Sequence, residues 1–117
     1  MGKFQIRKTA TGFTFELQAA NGEVVAVSEV YRTCAACKKG IQGIIKCASA
    51  APIANLREEN RLPSNPRFEI FSDRVGNFRF RLRARNGKII ASSQGYSTYG
   101  ACLHGIESVR RNAQESV

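Results

Sequence analysis

Arg79, Arg81, Arg83 and Arg85 stand at alternate positions of one short segment, and Lys88 follows across a turn signal at Asn86-Gly87. Side chains at period two share one face of an extended strand, and at about 3.4 Å per residue these Cα atoms span roughly 20 Å. A guanidinium row of that length can contact several phosphates, so its chemistry is the binding of an anion or nucleic acid rather than bond making. A two-residue turn at Asn86-Gly87 would add Lys88 opposite Arg85. The competing reading is a solvated sheet face whose long stems cover apolar neighbours such as Ile90. Pairing Phe68 with Phe80 and Ile70 with Phe78 would set Glu69 opposite Arg79 and neutralise one end of the row. Sheets that bind single strands also expose aromatic rings on which bases stack. Most phenylalanines here fall on the inward phase, which leaves Phe71 and the tyrosines for that role.

The other reactive residue types carry less. Cys34-x-x-Cys37 has redox spacing, and a thiolate near a helix N-terminus would be acidified. Zinc would need four ligands, yet no second Cys-x-x-Cys follows and His104 is the single histidine. Cys37 also falls in an apolar stripe, where cysteine serves as a small hydrophobe. Tyr31 and Tyr96 each precede a threonine, Thr33 or Thr98, by two residues. Beside helix N-termini they could hold an anion, although packing the junction is their commoner role. His104 has no carboxylate or nucleophile set beside it by spacing. With no nucleophile elbow, P-loop or dinucleotide motif, the sequence predicts no catalytic residues, no metal ligands and no cofactor.

The elements that must position the arginines are written twice. Phe13-x-Phe15-x-Leu17-x-Ala19-x-Asn21-Gly22 returns 65 residues later as Phe78-x-Phe80-x-Leu82-x-Ala84-x-Asn86-Gly87. Ser28-x-x-Tyr31-x-Thr33-x-x-Ala36-Cys37-x-x-Gly40-Ile41 returns as Ser93-x-x-Tyr96-x-Thr98-x-x-Ala101-Cys102-x-x-Gly105-Ile106, and Lys3-Phe4-Gln5-Ile6 returns as Arg67-Phe68-Glu69-Ile70. An internal repeat names the structural unit. Alternation predicts strands around Phe4, Phe13 to Ala19 and Glu23 to Ser28. A type I′ turn at Asn21-Gly22 would set Ala19 against Val24 and Leu17 against Ala26. Spacing of three and four then predicts a helix capped by Thr33, with Ala36, Cys37, Gly40, Ile41 and Ile44 as its stripe. Its twin is capped by Thr98, with a stripe from Ala101 to Val109. Glycine inside both helices implies close approach to the sheet.

Each unit is thus β-β-β-α, too small to stand alone, so the two should pair about a pseudo-twofold axis. The expected fold class is α+β: one continuous antiparallel sheet with both helices on one face. The chain has 117 residues and 43% hydrophobic content, enough for one core. It is expected to be a single domain, with repeat 1 over about 1–48, a connector over about 49–66 and repeat 2 over about 67–117. The connector holds Pro52, Pro63, Pro66 and the charged run Arg57 to Arg61, and it has room for a short crossing strand.

The doubled pattern of a Phe-rich strand, Asn-Gly hairpin, Ser-x-x-Tyr and a helix carrying Gly-Ile resembles the YegP-like family of small bacterial proteins. That resemblance covers nearly all the chain except the connector. It implies two β-β-β-α units followed by strands exchanged between them, and it brings no catalytic residues. The long connector and the short tail after Arg111 depart from that pattern.

A net charge of +9 favours anionic partners, and it is uneven: residues 1–60 carry 8 basic and 5 acidic groups, a net +3, whereas residues 61–117 carry 10 and 4, a net +6. Repeat 1 has Thr14, Glu16, Gln18 and Ala20 where repeat 2 has its arginines, so the row is no requirement of the fold. No apolar stretch approaches the roughly 20 residues that span a bilayer. The expectation is a cytoplasmic, non-catalytic monomer with an internal pseudo-dimer, binding RNA or single-stranded DNA through the arginine row. The alternative is a protein-interaction or stress-related accessory protein with an acidic partner, and a thiol redox protein using Cys34 ranks last.

Overall fold

Seven strands form a single sheet in a computed structural model that describes residues 2–58 and 61–115. Glu59 and Asn60, inside the expected charged run of the connector, lie outside the described residues, as does the end of repeat 2 at residues 116–117. The elements are β1 (Lys3–Lys8), β2 (Phe13–Gln18), β3 (Val24–Val27), α1 (Cys34–Cys47), β4 (Ile53–Asn55), β5 (Arg67–Ser72), β6 (Phe78–Arg83), β7 (Ile89–Ser92) and α2 (Tyr99–Glu115). The sheet order is β1-β2-β3-β7-β6-β5-β4. The two β-β-β-α units therefore meet through their third strands, which touch at the pair Val27 and Ser92.

Both helices cover one face and touch each other, and each reaches across the seam: α1 packs on β2 and β7, α2 on β6, β2, β3 and β1. The alternating residues named above supply the core, with Phe15, Leu17, Phe68, Ile70, Phe80, Leu82, Ile44, Ile106 and both Cys37 and Cys102 almost wholly buried. Thr33 Oγ1 accepts from the Ala36 N–H at 3.1 Å and Thr98 Oγ1 from the Ala101 N–H at 3.0 Å. These caps satisfy donors that the first helical turn leaves free. Tyr31 and Tyr96 pack the junctions, stacked on Phe15 and Phe80 at 6.2 and 6.3 Å. Their hydroxyls lie where Gly40 and Gly105 would carry a Cβ, which explains the glycines in the helices.

Three expectations need correction. The sheet is antiparallel over six strands only, because β4 runs parallel to β5. This short connector strand leaves α1 of the first unit and completes the edge of the second, held where Arg110 of α2 donates to the carbonyls of Ala48 (3.2 Å) and Ala51 (2.6 Å). Secondly, the Asn-Gly hairpins are not type I′, since among the described residues none but glycine has positive φ. Ala19 N–H bonds the Glu23 carbonyl and Gly22 N–H the Ala19 carbonyl, so the loop has three residues with Gly22 at φ 87°. That geometry is a type I turn closed by a glycine bulge, and it pairs Val24 with Gln18 instead of Ala19, while Leu17 still meets Ala26. The same turn at Ala84 to Lys88 places Arg85 in the loop rather than opposite Lys88. The attendant bulge turns Ile90 into the core and leaves Ile89 beside Arg83.

Thirdly, β5 and β6 pair Phe68 with Leu82, Ile70 with Phe80 and Glu69 with Arg81. The expected register, with Glu69 opposite Arg79, needed a loop two residues shorter. Asp73 holds the longer loop: its Oδ1 accepts from the Val75 and Asn77 N–H groups at 3.0 Å, and Gly76 at φ 87° closes the turn.

Candidate anion-binding face

Period two sends Arg79, Arg81 and Arg83 of β6 to the face opposite the helices, together with Arg67, Glu69 and Phe71 of β5. Glu69 is the hub, only 1% exposed. Its Oε1 accepts from Arg81 Nε at 2.7 Å and Arg83 Nε at 2.8 Å, and its Oε2 from Arg67 Nε at 2.7 Å. Burial alone would raise the carboxyl pKa, but the hydrogen bonds from Arg81, Arg67 and Arg83 outweigh it and hold it at about 2. Carbonyls fix the remaining geometry: Arg67 Nη1 donates to Pro63 and Arg83 Nη1 to Gly87. Arg79 takes Asp73 instead, Nε to Oδ2 at 2.9 Å, and that hydrogen bond keeps the Asp73 carboxyl below its usual range.

Four guanidinium groups against two carboxylates leave this face with two net positive charges. The Arg81 guanidinium also lies 4.6 Å from the Phe71 ring centroid, so ring and cation form one stacked unit. Each arginine is held by at least one bond, so little side-chain entropy remains to be lost on binding.

Of the residues singled out by sequence, the fold brings Arg79, Arg81 and Arg83 together and separates the other two. Arg85 and Lys88 are exposed at the hairpin end, and Arg85 lines a groove of about 580 Å³ with Lys46, Cys47 and Pro63 to Pro66. Arg67 and the hub role of Glu69 were missed. Their signal was present in phase, two residues apart on the outward side of β5, but it becomes legible only with the correct register. The first unit replaces the cluster with a polar network in which Gln18 Nε2 donates to Gln5 (3.1 Å) and Glu16 (2.7 Å), while Arg7 pairs with Glu16 at 2.9 Å.

The remaining candidates stay apart. Cys34 is half-buried and Cys37 sealed in the core. His104 is exposed on α2. Among the described residues, no group of three or more His, Cys, Asp or Glu side chains could hold a metal ion. No described helix is long and apolar enough to cross a membrane.

Two stretches, residues 9–54 and 73–117, match one family model, described as a domain of unknown function, DUF1508. The YegP protein of Escherichia coli O157:H7 is 36% identical over 112 residues, 95% of this chain and 89% of that protein. A protein encoded in the 5′ region of the ptx operon of Stutzerimonas stutzeri is 52% identical over 48 residues, and the matched stretch spans only 43% of its length. Among solved structures, the solution NMR structure of E. coli yegP, a protein of unknown function, superposes with a TM-score of 0.79 at 32% identity, covering 99% of this chain and 89% of that one. Matches to the family model over both units, together with a shared fold and a third of residues identical across almost the whole chain, mean that the chain belongs to the DUF1508 (UPF0339, YegP-like) family.

Proposed function

We propose that this protein is a non-catalytic binding module that holds an anionic polymer, RNA or single-stranded DNA, on the outer face of β5 and β6. The observation that carries this reading is the clamped cluster of Arg67, Arg81 and Arg83 around a single carboxylate, with Arg79 beside it. Phosphates would meet an excess of guanidinium N–H groups already in place, and a base could stack on the Arg81–Phe71 unit. Such binding is largely indifferent to sequence and weakens steeply with salt.

An acidic protein is the second reading, favoured by apolar side chains on the same face. Val24 and Val27, 40% and 42% exposed, line a groove of about 250 Å³ together with Arg79, Ser92 and Gln94.

Fluorescence anisotropy with a labelled single-stranded oligonucleotide across a salt series tests the first reading. Affinity should fall linearly on a log–log plot, and Arg81→Ala with Arg83→Ala should shallow the slope by about 0.7 for each phosphate that is no longer neutralised. Affinity too weak to measure even at low salt would leave the protein-partner reading in its place.

A further inference from the structure

The arginine cluster does not stop at the margin of the sheet. Arg67 Nη1 donates to the Pro63 carbonyl at 2.7 Å and Arg83 Nη1 to the Gly87 carbonyl at 2.8 Å, so both guanidinium groups are tied to segments beyond β5 and β6. Those segments adjoin one groove. The stretch from Pro63 to Pro66 lines the cleft of about 580 Å³ described above, together with Lys46 and Cys47 from the end of α1 and Arg85 from the β6–β7 hairpin. Gly87 lies beside it, since a Cβ there would sit 3.5 Å from the Nδ2 of Asn65. Among the described residues no carboxylate lines the groove, and α1 contains no Asp or Glu at all. The pseudo-symmetric groove at the first hairpin, by contrast, has Ala20 in the place of Arg85 and Glu23 in the place of Lys88. The hairpin therefore folds without either cation.

We propose that this groove continues the anion-binding face: a strand held along β5 and β6 turns around the hairpin end, lays its next phosphates on Arg85 and Lys46, and rests one base against Pro63 and Pro66. Resting on the nucleic-acid reading of the outer face, this path narrows the ligand to an unpaired strand. A duplex is stiff over about 150 base pairs and does not follow a turn from the outer face to the helix layer of a molecule measuring 37 × 31 × 28 Å. An unpaired strand bends freely and offers base faces, which apolar rings can cover. The groove's volume falls within the roughly 300–1,000 Å³ of small-ligand sites, ample for one base.

Cys47 supplies the readout, because it is half-buried in the groove while the other half-buried thiol, Cys34, begins the same helix about 20 Å away. Alkylation of each by iodoacetamide is followed by peptide mass spectrometry at low salt, and binding of the same oligonucleotides by anisotropy. A single strand of about twelve nucleotides, at about ten times its dissociation constant, should slow Cys47 about tenfold and leave Cys34 unchanged. A strand of about four nucleotides, confined to the arginine face, and a duplex of about twelve base pairs should slow neither. Lys46→Ala with Arg85→Ala, both at exposed positions, should shallow the salt slope of the longer strand by about 1.4 and leave that of the shorter one unchanged. Binding by anisotropy with Cys47 unprotected would overturn the proposal and leave the outer-face reading standing, whereas no binding at all would remove both. Protection by the short strand or the duplex would also overturn it, by making the groove a site of its own. Protection by polyaspartate alone would assign the groove to an acidic protein.

Discussion

Arg81 Nε donates to Glu69 Oε1 at 2.7 Å across the β5–β6 pair, and the receiving carboxylate is all but sealed from solvent. The cluster is therefore both a structural tie and the source of the face's residual positive charge. Removing the carboxylate should weaken the first and raise the second.

Stability at low pH reads the tie directly. The Glu69 carboxyl titrates near 4.5 when unfolded and at about 2 when folded, because hydrogen bonds from three arginines overcome the opposing effect of burial. A depressed folded pKa contributes stability that is complete above the unfolded value and lost as pH falls through the folded one. The contribution is roughly 3 kcal/mol at neutral pH. Glu69→Gln should lower urea stability by about 2–3 kcal/mol at pH 7, with the difference closing towards pH 2. Equal losses at both pH values would mean that packing, not charge, is what Glu69 supplies.

Helix-to-sheet contact is tight at Gly105. A Cβ there would lie 2.5 Å from the Tyr96 hydroxyl and 2.9 Å from Phe80 Cε2. Gly105→Ala should therefore cost about 1–3 kcal/mol, despite the better helix propensity of alanine. Adding Tyr96→Phe removes the nearer clash and should restore about half the loss, which a double-mutant cycle in urea measures. Additive losses would show that the ring and the helix do not compete for that space.

The four thiols should divide evenly. Burial raises the Cys102 thiol to about 11, and burial with the nearby Cys34 raises Cys37. Cys34 and Cys47 are half-buried. A chromogenic disulfide at pH 8 should thus titrate two thiols in the native protein and all four in guanidinium chloride. Rapid loss of a third native thiol would mean that the helix stripe opens locally.

How much of this was legible differs by element. The doubled Phe-x-Phe-x-Leu and Thr-capped stripe define strands, helices and core phase because burial follows periods of two and 3.6 whatever the loops do. Loop geometry is where inference from residues failed. Asn21-Gly22 suits both a two-residue and a three-residue turn, and the choice decides whether Ala19 or Gln18 meets Val24. In the first unit, Thr9 and Gly12 close a tighter loop than Asp73 and Asn77 do in the second. That single added residue accounts for the change in repeat spacing from 64 to 65. It also fixes Glu69 opposite Arg81, so the hub of the candidate site depended on a turn. β4 was legible only as a short crossing strand somewhere in the connector, because Ile53–Asn55 is too short to show a period and its partner lies beyond the connector.

Arg110 is the residue on which that strand depends. From α2 it donates to the Ala48 and Ala51 carbonyls, and its guanidinium lies 5.5 Å from the Phe68 ring centroid. It thus satisfies acceptors at the C-terminus of α1 just before the chain turns into β4, where a positive charge also complements the helix dipole. The first unit carries Ile45 at the corresponding position. Arg110→Ala should cost about 2 kcal/mol, and its effect should be local. The Leu56 amide, bonded to the Ile70 carbonyl at 2.9 Å, should exchange faster, while the Phe15 amide, bonded to Ser28 Oγ at 2.9 Å, should change only with global stability. Uniform acceleration of both amides would mean that β4 is held by its parallel pairing alone and that Arg110 merely stabilises the whole.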